Sequence, residues 1–184
     1  MTNKDCTVFT IGHSTRSFEE LLELLQLHGV DHLVDVRTVP RSRRNPQFNR
    51  ETLGGALGRA GLGYTHEKAL GGLRKTHKDS VNTGWRNASF RGYADYMQTE
   101  EFAEGLDRLL ALAHRQRVAI MCAEAVPWRC HRSMIADALV VHGCVVEHIL
   151  SGERRMPHTL TDFAVVEGKR IHYPAERTGE LFAS

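Results

Sequence analysis

The segment from Cys122 to Arg132 gathers two thiols, one carboxylate, one imidazole and two guanidinium groups within eleven residues. A thiol at the start of a helix and flanked by Arg129, His131 and Arg132 sits in positive potential. Such surroundings lower a cysteine pKa from about 8.5 toward about 4–7. Cys130 is then a thiolate nucleophile. The competing reading makes it a small buried residue where helix meets sheet. Cys122 closes a buried strand and points either into the core or into the site. Glu124 can act as a general base, or it can pair with Arg129 or Arg132 and orient it. His131 can carry protons or position its neighbours. The catalytic candidates are therefore Cys122, Glu124, Cys130 and His131. The spacing from Cys122 to Arg129 is one residue too long for a tyrosine-phosphatase loop and lacks its glycines. A sulfur-transfer layout fits loosely. Cys122, Cys130, His131 and His13 are ligand types that suit zinc, but their spacing matches no zinc knuckle. On a helix, the adjacent Cys130 and His131 would also point about a hundred degrees apart. No metal is assigned, and no cofactor is named by any motif.

Anion-binding candidates lie elsewhere in the chain. Arg37 to Arg50 holds Arg37, Arg41, Arg43, Arg44 and Arg50 with no acidic residue. Guanidinium groups suit bidentate contact with phosphate, so Arg37, Arg41 and Arg43 form a candidate clamp, joined by Arg132. The alternative is a solvated loop. His13 and Ser14 follow a strand at Gly12, where Thr15 and the helix amides near Ser17 can also face an anion. Asp35 can hold a ribose hydroxyl, a cation or simply Arg37. His148 closes the list from the last strand. A second basic stretch (Arg74, Lys75, Lys78, Arg86, Arg91) interleaves Trp85 and Phe90. These aromatics either stack on nucleic-acid bases or anchor the loop to the core.

Alternating elements must position these groups. Val8 to Gly12 reads as a buried strand ended by glycine. Ser17 opens a helix through a capping box with Glu20, and Gly29 stops it. His32 to Val36 is the next strand, completing a βαβ unit and implying a parallel sheet. A short helix capped by Asn49, a strand over Gly63 to Glu67, and a loop from Leu70 to Phe90 follow. Helices over Gly92 to Gln98 and Glu100 to His114 come next, the second capped by Thr99. Arg117 to Cys122 is a strand, Cys130 to His142 a helix, and Cys144 to Leu150 the last strand. The pattern weakens after Ser151 and reads as a loosely structured tail.

The chain has 184 residues, 24 Lys+Arg against 22 Asp+Glu, and 41% hydrophobic residues. These values exclude global disorder. No stretch approaches 18 apolar residues, so a membrane span is excluded. A net charge of +2 does not suit a strong sequence-independent DNA binder. The polar start is not an export signal, and the four cysteines (Cys6, Cys122, Cys130, Cys144) show no disulfide framework. The expectation is four free thiols in the reducing cytoplasm.

In open parallel sheets, ligands bind outside the carboxyl ends of the strands. His13, Asp35, His66, Cys122 and His148 all fall at that edge. Thr10 to Ser14 (TIGHS), Asp35 to Arg37 with Pro40 to Arg44, Leu70 to Gly72, Cys122 to Glu124 with Cys130 to Arg132, and Val146 to Ile149 together resemble the domain-of-unknown-function 488 family. The resemblance runs from Thr7 to Leu150 and implies a three-layer α/β domain with its motif residues at one site. It implies no settled activity. The expected architecture is a three-layer α/β sandwich, with a mostly parallel sheet of about five strands and helices on both faces. Residues 1–150 form this single domain, and residues 151–184 are an extension packed on it or trailing from it. The site falls between the first and fourth strands, where His13 and Cys122 become neighbours. It would serve an enzyme or ligand binder acting on a phosphate-bearing or nucleotide-like anion. The alternatives are a non-catalytic nucleic-acid-binding module and a metal-binding protein. Oligomeric state is not legible.

Overall fold

Short apolar stretches buried along almost their whole length form a parallel sheet here because each must hide two faces. The computed structural model describes residues 6–175. The first strand, β1 (Thr7–Gly12), leads into α1 (Phe18–Leu27), β2 (His32–Asp35), α2 (Arg50–Arg59) and β3 (Gly63–His66). Helices α3 (Ala88–Tyr96) and α4 (Glu100–Ala113) lead to β4 (Val118–Cys122), α5 (Arg132–Val141) and β5 (Val145–Ser151). The strand order is β3-β2-β4-β1-β5, all parallel, with β6 (Arg154–Pro157) added antiparallel to β5. This is the three-layer α/β sandwich expected, with one more strand.

Side-chain parity assigns each strand residue to a layer. Phe9, Ile11, Leu33, Ala119 and Met121 pack with Leu21, Leu25, Leu53 and Leu57 of α1 and α2. Val8, Val34, Val118, Ile120 and Val146 pack on the other face with Tyr93, Phe102, Leu106, Met134 and Leu139 of α3, α4 and α5. Each fully buried leucine contributes about 1.5–3 kcal/mol of transfer free energy. The connection after β1 runs one way along the sheet on the first face, and the connection after β4 runs the other way on the second. The reversal therefore falls between β1 and β4, where an open α/β sheet leaves a crevice.

Local signals set the helix starts. Ser17 Oγ accepts from Glu20 N while Glu20 Oε2 accepts from Ser17 N, so the capping box forms. Thr99 accepts from Phe102 N at the start of α4. Asn87 accepts from Ser89 N and starts α3 four residues earlier than the expected Gly92.

Two expectations are corrected. The stretch after Ser151 is not loose in its described part. It supplies β6 and a hairpin of β7 (Val165–Glu167) with β8 (Arg170–His172), and it buries Ile171 and Tyr173 in the core. Nor are all four cysteines free, because Cys6 and Cys144 form a disulfide with Cα atoms 4.6 Å apart. They precede the paired residues Thr7 and Val145, so register places them side by side although they lie 138 residues apart. Closing so long a loop restricts the unfolded chain by about 4–5 kcal/mol in the entropic account. No helix among the described residues is long and apolar enough to cross a membrane.

Candidate active site

The register Gly12↔Cys122 brings the ends of β1 and β4 together, and His13 N donates to Cys122 O (2.9 Å). Gly12 is required there by space. A Cβ at this position would lie against the Glu124 carbonyl, far inside contact distance. Above this junction opens a cleft of about 760 Å³. His13, Ser14, Arg37, Arg41, Cys122, Glu124, Cys130 and His131 all line it. Arg43 does not; Arg44, which the clamp reading passed over, does.

The thiols sit on the cleft floor. Pro127 starts a 3-10 turn, Pro127–Arg129, that closes with Cys130 N donating to Pro127 O. Cys130 is therefore extended (φ −139°, ψ 152°), and α5 begins only at Arg132. This corrects the expected helix start. It also overturns the divergent geometry expected of Cys130 and His131, because Cys130 Sγ lies 3.4 Å from His131 Nδ1. His131 Nε2 donates to Val36 O (2.8 Å), which fixes the tautomer and leaves the Nδ1 lone pair for the thiol proton. Burial lowers the His131 pKa and keeps the ring neutral. Arg132 N donates to Cys130 Sγ at 3.5 Å, and Cys122 Sγ lies 2.7 Å away. Burial pushes the Cys130 thiol up, but the hydrogen bond from Cys122 and the Arg132 charge and N–H outweigh it. Its pKa comes down to about 7. Burial, reinforced by the same Cys122–Cys130 contact, pushes the Cys122 thiol well up.

The cation that favours this thiolate is unusual. Arg132 is 1% exposed and has no carboxylate partner among the described residues. Its Nη1 donates to Thr10 Oγ1 (3.0 Å) and its Nη2 to Glu124 O (2.8 Å), while Nε finds no partner. Behind it a chain of polar groups runs through the core. Thr10 Oγ1 meets His148 Nδ1 (2.6 Å), His148 Nε2 meets His158 Nδ1 (3.0 Å), and His158 Nε2 meets Asp137 Oδ1 (2.8 Å). The Asp137 carboxylate only accepts, so His158 donates to it from Nε2, while burial favours the neutral form of His148. Sequence reasoning missed Thr10, Asp137 and His158. Their signal was weak, since a threonine in a strand and an aspartate within a helix are ordinary.

Other candidates are already committed. Asp35 is fully buried; it accepts from Arg37 Nε (2.9 Å) and Nη2 (2.6 Å) and from Tyr64 Oη (2.6 Å). Arg37 Nη1 in turn faces His13 Nε2 (3.3 Å). This is the simple pairing alternative for Asp35, and it neutralises Arg37 as an anion clamp. His13 Nδ1 donates to Ser14 O (2.8 Å), its ring stacks on Phe48, and burial lowers its pKa. Ser14 adopts a positive φ of 48° at the cleft edge. The capping box takes up the Ser17 and Glu20 amides. His148 lies outside the cleft, in the polar chain, and lines a separate hollow with Trp128 and His158. The Glu124 side chain is exposed on the cleft rim and pairs with neither Arg129 nor Arg132. Trp85 packs against Phe90, Phe163 and Tyr173, so the aromatics anchor the loop rather than offer faces to bases. Among the described residues, no group of three His, Cys, Asp or Glu side chains is arranged to hold a metal ion. The 2.7 Å between the sulfurs is shorter than two zinc-bound thiolates allow, at about 2.3 Å per Zn–S bond in a tetrahedron.

The family model of the domain of unknown function DUF488 matches residues 17–139, about two thirds of the chain. The chain belongs to this family. The matched region of this DUF488 protein contains Asp35, Arg37, the arginine loop and the whole segment from Cys122 to Arg132. His13, just after β1, and His148, on the neighbouring β5, fall outside it. No curated protein and no solved structure matches the chain.

Proposed function

We propose that this DUF488 protein is a thiol-dependent enzyme acting on an anionic, phosphate-bearing or nucleotide-like small molecule, with Cys130 as its nucleophile. The observation that carries this reading is the setting of Cys130. Its sulfur meets a tautomer-fixed His131 Nδ1 and the Arg132 amide at the floor of an open cleft. A buried guanidinium lacking a carboxylate calls for an anion nearby, and the thiolate answers that need. Arg41 and Arg44 are exposed on the cleft walls and free of ion pairs among the described residues, so they are the side chains suited to an incoming phosphate. Glu124, on the rim, is the carboxylate placed to handle a leaving-group proton. We also propose a cytoplasmic setting, where the Cys122–Cys130 pair stays reduced; the Cys6–Cys144 bridge argues the other way.

Protection of Cys130 tests the anionic substrate. Inorganic phosphate and a nucleoside monophosphate should slow its alkylation by iodoacetamide in a saturable manner. Arg41→Ala and Arg44→Ala should each weaken that protection about tenfold, the scale of one charge-assisted hydrogen bond. Alkylation unaffected by either anion contradicts the proposal.

A further inference from the structure

The nucleophile reading uses Cys130 and leaves Cys122 without a task, although the two sulfurs are 2.7 Å apart. That is about 0.7 Å longer than a disulfide bond. Both thiols are held from opposite sides. Cys122 ends β4, with its carbonyl bound by His13 N, while Cys130 is fixed by Pro127 O and by Ser133, whose Oγ and N both reach the Cys130 carbonyl. They also differ in character. Cys130 has the imidazole and the Arg132 amide, whereas the nearest backbone acceptor of Cys122 is Glu124 O, at 3.7 Å. One sulfur is set up to attack, and the other waits behind it as a protonated thiol.

We propose that Cys122 and Cys130 act together as a dithiol that reduces a small, carboxylate-bearing disulfide bound in the cleft. This rests on Cys130 being the nucleophile but does not require a phosphate on the substrate. The Cys130 thiolate attacks one sulfur of the substrate, the substrate S–S bond breaks, and one half leaves as a thiolate. A mixed disulfide remains on Cys130. Cys122 then gives up its proton, for which the His131 Nδ1 lone pair is the acceptor beside the pair, and attacks Cys130 Sγ. The second half of the substrate leaves as a thiolate. The protein dithiol loses two electrons and two protons, and the substrate becomes two thiols. A dithiol reductant returns the pair to its starting state. Arg41 and Arg44 on the cleft walls complement the substrate carboxylates.

The test uses the full chain, reduced with dithiothreitol, freed of reductant and exposed to glutathione disulfide, with each cysteine followed by peptide mapping. Wild-type protein should form a Cys122–Cys130 disulfide, with two thiols released for each such disulfide mapped, beyond any released by re-forming Cys6–Cys144. Cys122→Ser should trap glutathione on Cys130, with an adduct lifetime at least about tenfold longer than in wild type. Cys130→Ser should leave Cys122 unmodified. Wild-type mapping needs no variant, so a variant that fails to fold does not remove the test. A stable glutathione adduct on wild-type Cys130 overturns the dithiol inference while leaving the nucleophile in place. So does a Cys130 that iodoacetamide labels but glutathione disulfide does not touch. A Cys130 inert to both reagents overturns the nucleophile reading itself.

Discussion

Asp137→Ala is expected to lower the folding free energy by about 3–5 kcal/mol, the cost of stripping a buried polar network of its acceptor. The Asp137 carboxylate is fully buried and accepts from His158 Nε2, Thr161 N, Thr161 Oγ1 and Tyr173 Oη, all within 3.0 Å. Alanine leaves four donors without their acceptor. The four donors belong to three residues, His158, Thr161 and Tyr173, all beyond Ser151, so the variant should also release the pairing of the C-terminal stretch on the domain. Thermal unfolding should show a drop of about 10 °C or more for a chain of this size. Limited proteolysis should cut first between residues 151 and 175. A shift worth less than about 1 kcal/mol would show that the network contributes nothing to holding the extension.

Acid should destabilise the protein through His148. Burial, with the neighbouring His158 and Arg132 charges adding to it, lowers the His148 pKa to about 3. The unfolded value is about 6.5, so between these limits the unfolded chain binds the extra proton and the folded chain does not. Stability is then fully present above about pH 6.5 and declines as the pH falls toward 3. From pH 6.5 to pH 4 this one site accounts for about 3 kcal/mol. His13 and His131, whose pKa values are also lowered by burial, add to it with the same sign. Urea titrations across that range should show the decline, and His148→Gln should remove most of the His148 share. A variant whose stability falls with acid as steeply as wild type would refute a neutral His148 in the Thr10–Asp137 chain.

The β1–β4 crevice was legible because both of its determinants are local. Gly12 and Cys122 end apolar stretches, and the residues beyond them carry the reactive groups. The alternation of strands and capped helices then fixes which sheet edge they share. Side-chain direction was less legible. Asp35 and Arg37 lie two apart in extended chain, a spacing that puts both on one side and favours the Arg37 pairing among the three readings of Asp35. Cys130 was misplaced onto a helix, whereas Pro127 starts a 3-10 turn that leaves Cys130 extended and aimed back at Cys122. The Cys6–Cys144 bridge and the roles of His158, Thr161 and Tyr173 depend on register and on docking across more than a hundred residues or on irregular chain. No local period encodes either. The direction of His148, into the core rather than into the cleft, likewise follows from the register of β5 on β1.

The pH dependence of Cys130 alkylation bears most directly on the central claim, that the β1–β4 cleft holds a thiolate at neutral pH. With iodoacetamide and peptide mapping on the native protein, Cys130 should label ahead of Cys122, with a rate that reaches half its plateau near pH 7. A midpoint at or above the value of an ordinary thiol, about 8.5, would contradict the account, as would Cys122 labelling first.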